Sequence, residues 1–63
     1  SYVIAYTLGV IYEATGDLEK AKKFYNIADD KSMKSIDEIN LAINRIDDSI
    51  EKANVAIKQI NAK

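Results

Sequence analysis

The apolar residues of this chain recur at steps of three and four residues almost from end to end. This spacing places side chains on one face of an α-helix. Proline is absent and glycine occurs only at Gly9 and Gly16, so few residues interrupt the pattern. The one strong break is Thr15-Gly16-Asp17, where Gly16 suits a left-handed helix end and the Asp17 carboxylate can cap the next helix. The sequence therefore predicts an all-α protein.

A weaker break follows, where polar residues interrupt the apolar spacing from Asp29 to Lys34. Ser35 and Glu38 then have the spacing of a capping box, in which each side chain accepts a hydrogen bond from the other residue's backbone N–H. We expect helices at about 2–15, 18–30 and 35–62. In this prediction a helix-turn-helix over 1–34 and a long C-terminal helix over 35–63 form a single folding unit.

Small residues indicate where the first two predicted helices pack. Gly9 and Ala21 would let two antiparallel helices approach closely, with Leu8, Tyr12 and Tyr25 filling the space beside them. A glycine in the middle of a helix costs about 1 kcal/mol relative to alanine. Gly9 therefore indicates a packing requirement at this position.

The order of these residues is also informative. The chain has Leu8, Gly9 and Tyr12 on the first predicted helix, Gly16-Asp17 at the turn, and Ala21, Tyr25 and Ala28 on the second. With this spacing, residues 2–34 resemble a tetratricopeptide repeat (TPR), a helix-turn-helix unit of 34 residues. The sequence departs from the family pattern at Ala5, where a large aromatic residue is usual, and at Met33, where proline commonly ends the unit. The alternative is a helical hairpin unrelated to the family.

The resemblance implies that such repeats stack and that their first helices line a groove for a peptide or a partner protein. The groove-facing residues of this chain would be Val3, Tyr6, Val10 and Glu13. Some family members hold a terminal carboxylate with Lys and Asn, but Tyr6 and Val10 stand at the matching positions here. We therefore expect an apolar and aromatic partner-binding surface. The alternative is that a neighbouring helix covers this face.

The third predicted helix does not repeat the pattern. A shift of 34 residues puts Ile50 at the position of Gly16 and Gln59 at that of Tyr25, so neither a second turn nor a second packing helix follows. Instead, apolar residues alternate at three- and four-residue steps from Ile36 to Ile60, which is the pattern of a coiled-coil seam. The residues expected to mediate self-association are Ile43, Ile46, Ile50, Ala53, Ile57 and Ile60.

The residues in and beside the seam bear on the number and the orientation of the helices in such an assembly. Small residues at Ala42, Ser49 and Ala56 along one flank suit close antiparallel packing or a bundle of more than two helices. Isoleucine at both core positions of the seam also favours coiled coils of more than two helices. In the alternatives, the long helix folds back within its own chain or caps a longer array of repeats.

Composition excludes several functions. The 63-residue chain contains no cysteine and no histidine, so it lacks a disulfide, the commonest metal ligand and the usual general base. We expect no catalytic, metal-binding or cofactor-binding residues and no enzyme activity. The net charge of −1 argues against nucleic-acid binding, and no apolar run reaches the roughly 18 residues of a membrane span.

These observations lead to one expected function and one alternative. We expect a non-enzymatic protein–protein interaction module, a TPR-type scaffold fragment that forms a homo-oligomer through its isoleucine seam. In the alternative, the chain is the C-terminal capping segment of a longer TPR array and binds a protein or peptide on its first helix. Because the chain begins with Ser1 rather than Met, we expect it to come from a longer or processed protein. The sequence does not identify a cellular location, and the lack of cysteine and of a signal-peptide pattern leaves the cytoplasm as the default expectation.

Overall fold

The computed structural model describes residues 1–62 and consists of three α-helices joined by short connections. Helix α1 spans Tyr2–Ala14, α2 spans Leu18–Ser32 and α3 spans Asp37–Asn61. The predicted all-α class, with a hairpin followed by a long helix, is confirmed, and the predicted helix ends differ from these by at most two residues. The predicted C-terminal segment extended to Lys63, which lies outside the described residues.

The first turn has the geometry that its residues predict. Gly16 adopts a φ of 86°, in the left-handed region that side chains other than glycine's disfavour. The backbone N–H groups of Gly16 and Asp17 donate to the carbonyl oxygens of Glu13 and Tyr12 at 3.1 and 2.9 Å, which satisfies the end of α1. The Asp17 carboxylate accepts from the Lys20 backbone N–H at 3.2 Å and so caps α2.

The second junction differs from its prediction, because the capping box of Ser35 and Glu38 does not form. Met33 ends α2 with a left-handed φ of 60°, and the chain resumes in an extended conformation at Ile36. Ile36 is the N-cap of α3, without a side-chain cap, and the Ser35 hydroxyl accepts from the Asn40 amide instead. The physical reason is that Ile36 packs partly buried against the core, which moves the helix start two residues beyond Ser35.

Helix α2 is the centre of the packing, since it contacts both α1 and α3 while those two helices meet at fewer points. Ala28 packs with Ala5 of α1 and Ile39 of α3 near the C-terminal end of α2. At the other end of α2, Ala21 packs with Ile46. Both neighbours therefore run antiparallel to α2. The buried core consists of Ala5, Ala21, Tyr25, Ala28, Ile39, Ala42 and Ile46.

Helix α3 is longer than the hairpin that supports it. Its 25 residues extend about 37 Å, against about 20 Å for the 13 residues of α1. Contacts of α3 with the core end at Ile50, and every residue from 51 to 61 is exposed. We call residues 51–61 the α3 overhang. The molecule is accordingly elongated, with principal extents of 46 × 20 × 13 Å.

Among residues 1–62, none of the helices combines the length and the apolarity that a bilayer span requires.

Candidate functional site

The predicted partner-binding residues of α1 lie in three different environments. Val3 and Val10 are exposed, at 55% and 42% of their surface. Tyr6 is half-buried and packs against both halves of the core, with its ring centroid 5.6 Å from that of Tyr25. Glu13 is engaged within the molecule. The open part of the predicted stripe is therefore apolar, and Ile4 and Ile11 enlarge it.

Glu13 joins all three helices through its carboxylate. The Tyr25 hydroxyl of α2 donates to its Oε1 at 2.7 Å. Arg45 of α3 donates from Nε to Oε2 at 2.6 Å and from Nη2 to Oε1 at 2.7 Å, a bidentate ion pair. Both carboxylate oxygens of Glu13 are thus occupied, and the residue links α1 to α2 and to α3.

The charges of this network shift the ionisation of its members. The Arg45 hydrogen bonds, assisted by the Tyr25 hydroxyl, lower the pKa of Glu13 even though partial burial opposes the shift. Burial raises the pKa of Tyr25 to about 12, and its hydrogen bond to Glu13 acts in the same direction. Arg45 is the single arginine of the chain, and arginine is the residue best suited to a bidentate ion pair with a carboxylate. This was the one feature of the sequence that could have indicated its role. Spacing gives no indication of its partner, which lies 32 positions away.

We expect Glu13→Gln to destabilise the fold in a pH-dependent way. The folded-state pKa of Glu13 lies below its unfolded value of 4.5, so ionised Glu13 contributes stability above that pH. This contribution is lost as the pH falls through the lowered folded pKa. Because the Arg45 side chain is half exposed, the expected loss at pH 7 is about 1 kcal/mol. Urea unfolding at pH 7 and near pH 3 measures the difference from the wild type, which should shrink in acid.

Glu51→Gln is the matched control for this measurement, since Glu51 is an exposed residue of the overhang. It should change the free energy of unfolding by less than about 0.5 kcal/mol at either pH. A Glu13→Gln effect of equal size at both pH values would contradict the role of the ionised carboxylate.

The predicted self-association residues fall into two groups. Ile46 is fully buried, and Ile43 and Ile50 pack partly buried against the core formed with α2. The other three, Ala53, Ile57 and Ile60, lie on the overhang and are exposed. The first half of the isoleucine seam is therefore used within the chain, and only the second half is open to a partner.

The open half continues the face that the first half buries. Val55 lies on the far side of the overhang. At about 100° per residue, the other four apolar residues occupy an arc of about 100° on the side of α3 that packs on α2 further back. We call these residues the overhang stripe, and they are Ala53, Ala56, Ile57 and Ile60. No charged residue belongs to the stripe. The charged and amide side chains of the overhang lie around the rest of the helix.

Comparisons of the chain with protein-family models, with curated proteins and with solved structures gave no match.

Proposed function

We propose that this chain is a non-enzymatic protein–protein interaction module whose copies associate through the α3 overhang. One observation carries the proposal: the overhang stripe extends a buried apolar face beyond the hairpin that covers it. Ile57 and Ile60 expose 54% and 72% of their surface there. Burial of an isoleucine side chain contributes about 1.5–3 kcal/mol, so a partner helix on this stripe gains free energy. A second copy brings an identical, equally uncovered stripe.

In this proposal the TPR-like hairpin is the packing unit that supports α3. Its family-like residues support this role, since Ala21 and Ala28 are buried and Gly9 faces the ring of Tyr25. The hairpin covers α3 only as far as Ile50. It thereby holds the helical start of α3 in place, so that the overhang can continue as a helix.

A second candidate function rests on the exposed outer side of α1. Val3, Ile4, Val10 and Ile11 form an apolar surface there, and Arg45 neutralises Glu13, the only charged side chain of α1. A peptide or partner protein with an apolar face would fit this surface. In that case the chain would be the capping segment of a longer TPR-type array, and α3 would close its end.

Sedimentation equilibrium across a hundredfold range of concentration tests the first proposal. We expect the wild type to associate reversibly and Ile57→Asp to weaken that association at least about tenfold, because an unpaired carboxylate would enter an apolar interface. Leu41→Asp is the matched control, as Leu41 is exposed on α3 but away from the stripe. It introduces the same charge with a similar loss of helix propensity, and association should persist.

Two results would contradict the proposal. One is a folded wild-type monomer at every concentration, which would leave the α1 surface as the candidate. The other is an equal loss of association in the Ile57→Asp and Leu41→Asp variants, which would show that the stripe is not the contact.

A further inference from the structure

We infer that two copies pair antiparallel along the α3 overhang, with Ala53 of each copy facing Ile57 of the other. The hairpins then lie at opposite ends of the pair. This inference rests on the proposed self-association and adds the orientation and the register of the two helices.

The position of α2 argues against a parallel pair. Along the first half of α3, α2 lies on the face that the overhang stripe continues, where it buries Ile39, Ala42 and Ile46. In a parallel pair both copies of α2 would stand between the two α3 helices. Packed helices are about 8–10 Å apart, so two intervening helices would hold the α3 axes roughly three such spacings apart. The overhangs could then meet only if the α3 helices bent sharply towards each other.

An antiparallel pair removes this obstruction. The overhang is about 16 Å long, and the second copy offers an overhang of the same length running the other way. The second copy's helix then lies beside residues 51–61 and ends where α2 begins, near Leu18. The overhang stripe thus receives a helix that takes the place α2 holds along the first half of α3. The proposed interface is continuous with the packing of α2 on α3.

The residues of the stripe suit this orientation. Ala53 and Ile57 are four positions apart, so an antiparallel register can set each alanine against an isoleucine of the second copy. The same register brings Ile60 opposite Ile50. In-register parallel packing would instead set Ala53 against Ala53 of the second copy. Two small side chains would leave a gap there, which loses van der Waals contact energy. Ala56 lies one residue from the centre of this antiparallel pair, and its small side chain permits a close approach of the two helices.

The interface is short, and short interfaces are typical of weak, transient complexes. Eleven residues from each copy form a contact at the small end of the range for specific interfaces, so we expect a dissociation constant of roughly 10–100 µM. Because the stripe carries no charge, this affinity should depend little on salt.

Disulfide exchange between single-cysteine variants tests orientation and register together. The natural sequence has no cysteine, so each introduced thiol is unique. Chains carrying Ala53→Cys and chains carrying Ile57→Cys are mixed in equal amounts in a glutathione redox buffer, well above the dissociation constant of the wild type. Without a preferred orientation, mixed disulfides make up about half of the product. An antiparallel pair should enrich the mixed disulfide over both homodisulfides by about tenfold, through effective concentration.

Val55→Cys with Gln59→Cys is the matched control, since both residues are exposed and have the same four-residue spacing away from the stripe. This pair should give the statistical ratio, and circular dichroism of the reduced variants checks that all four chains keep their helices.

Three other outcomes are possible, and each contradicts the inferred orientation, register or self-association. An excess of the two homodisulfides would establish a parallel pair and leave self-association intact. A statistical ratio for the stripe variants, while the wild type sediments as a dimer, would overturn the register. A wild type that stays monomeric would overturn the inference together with the proposed function.

Discussion

Replacing Tyr25 with alanine is expected to unfold most of the chain. Tyr25 has no exposed surface, its ring packs against Tyr6, and it shares the core with Ala42 and Ile46 of α3. Truncation of a buried aromatic side chain typically costs about 3–5 kcal/mol. A chain of 63 residues has a total stability of only about 3–9 kcal/mol. The loss is therefore comparable with the whole free energy of unfolding.

Tyr25→Phe separates the ring from its hydroxyl. It keeps the packing and removes only the hydrogen bond to Glu13, which Arg45 continues to hold, so the expected cost is about 1–2 kcal/mol. Far-ultraviolet circular dichroism and urea unfolding measure both variants at one protein concentration, because association adds to apparent stability. Wild-type helicity in the Tyr25→Ala variant would show that the core is not organised around this residue.

Gly9→Ala is expected to destabilise the protein, although alanine is the better helix former. A Cβ at this position would lie 2.5 Å from Cδ1 and 2.6 Å from Cε1 of the Tyr25 ring, well inside van der Waals contact. That ring is fully buried and hydrogen-bonded, so it cannot move aside without opening the α1–α2 interface. Overpacking of this kind costs about 1–3 kcal/mol or more, which outweighs the roughly 1 kcal/mol that alanine gains in a helix interior.

A double-mutant cycle tests whether the contact between position 9 and the Tyr25 ring causes the destabilisation by Gly9→Ala. Tyr25→Leu removes the aromatic ring, so adding Gly9→Ala in that background should cost less than in the wild type, and the difference is their coupling. Gly16→Ala serves as a comparison, since that position has open space but a φ of +86° and should lose only about 1 kcal/mol through backbone strain. Stabilisation by Gly9→Ala would contradict the close approach.

The hairpin and the overhang carry different parts of the proposed function. The hairpin variants change the free energy of unfolding, because their residues lie in the core around Tyr25. Ile57→Asp should change association while leaving the monomer fold nearly unaffected, as Ile57 is largely exposed in one copy. A variant that changed both properties equally would connect folding with assembly.

Local features of the sequence were sufficient to predict the helices. Three- and four-residue apolar spacing, together with the scarcity of glycine and proline, identified three helices, and Gly16 with Asp17 located the first turn. Gly9 likewise indicated a close approach of two helices. These features can be predicted from sequence because periodicity, left-handed φ values and N-capping depend on residues within one or two turns of each other.

Long-range packing decided the rest. Glu13 was expected to face a partner, but the tertiary structure brings it to Tyr25 and to Arg45. Ile36 rather than Ser35 marks the start of α3, because burial of its side chain outweighs a local cap. The isoleucine seam looks uniform in sequence, and only the length of the hairpin separates buried Ile46 from exposed Ile57. The sequence by itself thus determined where the helices form and which faces are apolar. The lengths and the placement of the packed helices decided which apolar residues are buried within the chain. No local sequence pattern encodes these lengths and placements, because they depend on residues far apart in the sequence.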